Sequence, residues 1–168
     1  MTDETRDFDP SDADPRDLRD ALGRFVTGVT VVTCNTPDGP VGITANSFAS
    51  VSLDPPLVLW SPAKNSQRYP FFMAADHFAI HVLLREQVNL CHAFSRSADG
   101  FAAATWHEGP HGVPLLEGCA ARFLCEKAAE HDGGDHSILI GHVLSVSTKP
   151  GAPLTFNAGA FGGFIADS

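Results

Sequence analysis

Between Gly42 and Leu59 the chain reads GITANSFASVSLDPPLVL. Thr44, Asn46, Ser47, Ser50 and Ser52 make a string of short polar side chains here, where a segment built only for packing would carry branched apolar residues. Short polar side chains let a ligand approach the main chain, whose N–H groups bond an aromatic heterocycle or a phosphate. Strand and turn capping by Ser and Thr hydroxyls is the competing use of the same residues. Four of the eleven basic residues, Lys64, Arg68, Arg85 and Arg96, fall in one part of the chain and can supply a local positive patch. Scattered surface charge is the equal alternative for Arg68 and Arg85.

Other reactive constellations fail on spacing. His77 and His81 lie on an expected strand, where their separation spans about 13 Å, too far to share one metal ion. His107 and His111 sit in a Gly-Pro loop with no further ligand set. Nothing has the arrangement of a Ser-His-Asp or Cys-His nucleophile. A glycine loop of the P-loop or Rossmann kind is also missing from the sequence. Cys34, Cys91, Cys119 and Cys125 contain no C-x-x-C pair, so free buried thiols are expected.

The elements that position the polar string follow from periodicity. Residues 1 to about 14 are acidic and Pro-rich, and a disordered tail is expected. Asp14-Pro15 starts a helix, and Leu18, Leu22 and Phe25 follow at the spacing of one buried helical face. GVTVVT, the turn PDGP and VGITANSF make a first hairpin, and LVLW after Pro55-Pro56 makes another strand. A short helix over 66–75, limited by Pro70, precedes the strand HFAIHVL and a helix over 85–95. Residues 95–112 read as a mobile loop. Two long runs on either side of GGD read as a hairpin, and PLTFNAGAFGGF ends the pattern. Many strands with few helices predict one mainly β domain over 15–168, a closed or partly closed barrel with helices outside.

At 168 residues the chain is long enough for a real core. No apolar run approaches the roughly 18 residues of a membrane span. The acidic start lacks the layout of a secretory signal, so a cytoplasmic protein without membrane contact is expected. A net charge of −9 argues against nucleic acid and leaves any phosphate to local groups.

The string Thr-Ala-Asn-Ser-Phe, then Ser-Val-Ser, Pro-Pro and Lys-Asn-Ser resembles the flavin-binding signature of the short-chain flavin reductases. GRFVTGVTVVT, GVPLLEGCAARFLCE, GDHSILIGHVLSV and PLTFNAGAFGGF extend the resemblance over roughly residues 17 to 164. It implies an FMN-binding split β-barrel, Greek-key-like and homodimeric, with flavin near the subunit boundary. The activity implied is NAD(P)H-dependent reduction of FMN, with FAD possible, by hydride transfer. A separate monooxygenase or halogenase would receive the reduced flavin. A flavoprotein with tightly bound FMN acting on an organic substrate, or a flavin-binding electron carrier, are the alternatives.

By position, the resemblance puts Thr44, Ala45, Asn46, Ser47, Ser50, Val51 and Ser52 along the flavin. Ser61, Lys64, Asn65 and Ser66 would cradle its terminal phosphate, and Phe94, Ser95 and Arg96 the phosphate or adenine end. His136 would position the nicotinamide, with Asp135 orienting its ring or shaping the turn. Phe101, Trp106, Phe161 and Phe164 are framing aromatics, Phe164 first among them. His142 stands where the family pattern has an acidic or other polar residue, which puts that strand's substrate contacts in doubt. No basic pair announces a 2′-phosphate pocket, which favours NADH over NADPH.

Overall fold

The computed structural model describes residues 5–167. Helix α1 (Pro15–Leu22) leads into β1 (Thr27–Gly28), β2 (Thr30–Thr36), β3 (Gly39–Ala45), β4 (Ala49–Leu53) and β5 (Pro56–Trp60). Next come α2 (Tyr69–Ala74), β6 (His77–Val82) and α3 (Val88–Arg96). The chain ends with β7 (Trp106–Glu108), β8 (Pro114–Leu116), β9 (Ala121–Gly133), β10 (His136–Thr148), β11 (Leu154–Asn157) and β12 (Ala160–Gly163).

Seven strands form one antiparallel sheet in the order β3-β2-β6-β9-β10-β5-β4. Its two edges, β3 and β4, are consecutive in the chain and joined only by Asn46, Ser47 and Phe48. Six interstrand spacings would hold flat edges about 29 Å apart. The connection from Ala45 to Ala49 reaches at most about 14 Å. The sheet is consequently rolled into a barrel, and the three-residue connection bridges its split.

The barrel interior packs Val32, Val58, Trp60, Phe78, Ile80 and Leu139. A second core lies under α3, where Val31, Leu83, Phe94, Phe101, Leu116 and Leu154 meet. Strand β2 alternates between the two, so it is buried on both faces. Gly42 and Gly100 are required by close approach: an added Cβ would sit 2.5 Å and 2.7 Å from the Phe94 ring. That ring pins α3 against β3, the strand that begins the polar string.

Two expectations are corrected. Residues 95–112 do not form an unstructured loop; they hold short 3-10 turns and β7, with Phe101 buried against Phe94. The apolar face of α1 is not buried in the single chain, for Leu22 is 67% exposed and Phe25 79%. Residues 1–4 of the expected tail lie outside the described residues. Its remainder meets α1 through a two-pronged Arg6–Asp17 pair at 3.0 and 2.8 Å.

Candidate functional site

The split is where the sheet offers unpaired main chain, since each edge strand bonds a neighbour on one side only. Thr44, Ala45 and Asn46 form a wall shared by two cavities there. One, of about 290 Å³, lies towards α3 and is lined by Thr44, Ala45, Asn46, Cys91, Ser95 and Phe161 among others. The other, of about 180 Å³, lies towards the end of β5 and is lined by Thr44, Ala45, Asn46, Ser47, Ser61 and His136 among others. A third, of about 430 Å³, adjoins Phe25–Gly28 and Asn46–Ala49. Asn46 borders all three.

Part of the polar string is structural. Thr44 Oγ1 donates to the Cys91 carbonyl at 2.7 Å, and Ser95 Oγ donates to the same carbonyl at 2.7 Å. The Ser61 N–H donates to Ser47 Oγ at 2.9 Å, closing the gap between β3 and β5. These bonds hold the wall in place, while the hydroxyl oxygens retain acceptor capacity. Asn46 makes no side-chain hydrogen bond among the described residues. Thr27 Oγ1 and Trp60 Nε1 are buried without a partner among the described residues, and both residues belong to cavity walls.

His136 opens β10, and its Nδ1 donates to Asp135 Oδ1 at 2.7 Å. That bond leaves Nε2 as the ring nitrogen without a partner among the described residues. The hydrogen bond and charge of His136 hold the Asp135 carboxyl below the usual carboxylate range. The segment from Ser61 to Ser66 is docked on this hairpin: the Lys64 N–H donates to the Asp135 carbonyl at 2.9 Å and the Ser137 N–H to the Pro62 carbonyl at 3.1 Å. Lys64 Nζ meets the Asp132 carboxylate, which raises the lysine pKa and lowers that of the aspartate.

The structure thus brings Thr44, Ala45, Asn46, Ser47, Ser61, Ser95 and His136 together around the split. Lys64, Asn65, Ser66 and Arg96 lie outside the walls of these cavities, and so does Phe164. Ser50, Val51 and Ser52 sit on β4, the outer edge, with Val51 exposed. Phe94 is corrected: its ring is wholly buried between Gly42 and Gly100, and its carbonyl accepts from Arg68. Phe101 is likewise a core residue, and among the four framing aromatics Phe161 lines the cavity beside Thr44.

Arg68, read from the sequence as patch or scattered surface charge, instead donates its guanidinium to the Phe94 carbonyl and, at 3.1 Å, to the Ser95 carbonyl. It caps the end of α3 beside the wall, and partial burial lowers its pKa. Sequence reasoning missed Cys91, Val29 and Phe156 as lining residues. An apolar lining residue has no local signal that separates it from a core residue.

The chain matches the family description "Flavin reductase like domain" over residues 22–164 and belongs to that family. It is 55% identical over 157 residues to the FMN reductase (NADH) SmoA of Agrobacterium fabrum, covering 94% of this chain and 90% of that one. It is 42% identical over 156 residues to the flavin-dependent monooxygenase reductase subunit HsaB of Rhodococcus jostii, covering 92% of this chain and 80% of that one. Among solved structures, the Streptomyces globisporus NADH:FAD oxidoreductase SgcE6, in complex with NAD and FAD fragments, superposes with a TM-score of 0.90 at 37% identity. That match covers 98% of this chain and 99% of the other.

Proposed function

We propose that this protein is an NADH-dependent flavin reductase that takes FMN as a dissociating substrate and passes reduced flavin to a separate flavin-dependent oxygenase. The observation that carries the reading is the wall Thr44–Asn46, with open space on both sides and His136 across one of them. Family membership and the 55% identical FMN reductase support it independently. Bound flavin supplies the hydride-accepting ring, and the nicotinamide supplies the hydride.

The protein's own contribution is placement. Main-chain N–H groups along Ala45–Ser47 and the Asn46 amide hold the ring edge where negative charge accumulates. His136, with Nδ1–H fixed on Asp135, offers Nε2 to orient the nicotinamide over the ring. Ser61, Lys64, Asn65 and Ser66 receive the phosphate, with Lys64 as point charge. Ser95 and Arg96 at the end of α3 border the far side. Ser50, Val51 and Ser52 on β4 complete the flavin's surroundings.

The working unit is a homodimer in this reading. Val51 and Leu53 make one exposed apolar row on β4, and Leu144 and Val146 make another on β10. With Phe25, Phe164 and Ile165 also exposed, this is more apolar surface than a solitary barrel keeps open. A second copy of the chain is the occupant that covers it. Four unpaired, buried thiols support a reducing, cytoplasmic setting.

Steady-state oxidation of NADH and NADPH, with FMN and FAD titrated separately, tests the activity. Turnover that saturates with added FMN and prefers NADH is expected. Stoichiometric flavin retention with negligible turnover would overturn the reading. Sedimentation of the purified chain tests the dimer.

A further inference from the structure

The phosphate loop faces an acidic surface of the protein's own making. The β9–β10 hairpin carries Asp132 at the end of β9 and Asp135 in the turn, and both carboxylates raise the Lys64 pKa. The main chain of residues 62–64 is fixed on that turn by the bonds from Lys64 N–H and Ser137 N–H and by the bridge between Ala63 and His136. Tyr69 Oη and Ser137 Oγ lie 2.7 Å apart and add a further tie between the two segments. The freedom left to Lys64 is that of its side chain, and its ammonium already rests on Asp132. Arg68 cannot substitute, because its guanidinium is committed to the carbonyls at the end of α3.

A phosphomonoester entering this loop competes with Asp132 for one ammonium and meets an uncompensated carboxylate when it wins. We propose that Asp132 sets the affinity for the phosphorylated flavin: its carboxylate holds Lys64 when no ligand is present and must be displaced by the phosphate. The device keeps FMN weakly held, as a flavin that leaves after reduction requires. It rests on the flavin-phosphate reading of residues 61–66.

The experiment measures dissociation constants of FMN and of riboflavin, which lacks the phosphate, by quenching of flavin fluorescence on the full chain. Asp132→Asn, Asp132→Glu and Lys64→Gln are compared with the parent. Asp132→Asn is expected to tighten FMN about three- to five-fold, the range of an exposed ion pair. Riboflavin should not change, and Asp132→Glu should behave as the parent. The gain should shrink at high salt, because both charges are exposed. Lys64→Gln should weaken FMN and spare riboflavin.

Should Lys64→Gln act selectively on FMN while Asp132→Asn leaves FMN unchanged or weaker, the Asp132 proposal falls and the phosphate loop stands. Should Asp132→Asn tighten both flavins equally, its effect is general to the hairpin, and the proposal also falls. Should Lys64→Gln fail to separate FMN from riboflavin, the phosphate reading itself fails.

Discussion

His81 and His136 lie in the same seven-stranded sheet and have opposite surroundings. His81, near the end of β6, is fully buried; its Nδ1 donates to the Val31 carbonyl at 2.9 Å and its Nε2 accepts from the Leu116 N–H at 3.0 Å. Burial drives its pKa down to about 3. His136 stands at the rim, with one nitrogen on Asp135 and the other without a partner among the described residues. The cationic pair repeats the contrast: Arg68 is half-buried and bonded to carbonyls, whereas Lys64 holds a single exposed carboxylate. A polar side chain with every valence satisfied inside the sheet is scaffold. One with a valence left open at the split is available for chemistry.

The strongest way to break this contrast is His81→Leu. The change leaves the Leu116 N–H buried without a partner and strips the Val31 carbonyl of its side-chain bond, leaving it the main-chain ladder with β6, at a cost of about 2–4 kcal/mol. Urea unfolding should show that loss, and thermal unfolding a drop of roughly 10 °C. A loss below about 1 kcal/mol would mean the two bonds are replaceable. The acid limb sharpens the test. The unfolded chain protonates this histidine below about pH 6.5, whereas the folded chain resists until about pH 3. Between those values the unfolded state binds the extra proton, so stability falls as pH falls, by up to ~1.4 kcal/mol per pH unit. His81→Leu should lose that part of the slope.

His136→Ala probes the other side of the contrast. If His136 positions the nicotinamide as proposed, its removal should lower kcat/KM for NADH about 100-fold, the scale of a misplaced reacting pair. The melting temperature and FMN affinity should hardly move, because the ring is partly exposed and bonds only its neighbour. Unchanged turnover with a lowered melting temperature would make His136 a second scaffold histidine.

What the sequence allowed to be read follows the same division. The strands were legible because apolar alternation is local, and the β9–β10 hairpin around GGD appears where expected. The polar string was legible because its residue types disagree with packing. Phe94 was not: an aromatic at the end of a helix reads alike whether it faces a ligand or lies between Gly42 and Gly100. The fate of residues 95–112 was hidden for a similar reason, since Phe101 is ordered by packing on residues distant in sequence. Arg68 and Cys91 take their roles from the end of α3 meeting β3, a contact set by tertiary structure. The apolar face expected of α1 was read from spacing alone, and spacing does not say whether a surface lies opposite: Leu22 and Phe25 stand exposed.

The smallest effect is expected at Asp135, whose carboxylate bonds His136 and which, in the proposed reading, acts by orienting that ring. Asp135→Asn keeps an oxygen that accepts the Nδ1–H but removes the charge, so the bond weakens without disappearing. A loss of roughly five-fold in kcat/KM for NADH is expected, well short of the His136→Ala loss. The backbone bond from Lys64 to the residue-135 carbonyl is untouched by the substitution, so the loop over Ser61–Ser66 should keep its place. The decisive comparison is the double variant. If Asp135 acts solely by orienting the ring, Asp135→Asn adds nothing once His136 is Ala, and the two losses are fully coupled. Additive losses would give Asp135 a separate part in binding, through the field it shares with Asp132 around Lys64. FMN affinity compared with riboflavin affinity in the single variant would separate these origins, because a field effect acts on the phosphate and an orienting effect does not.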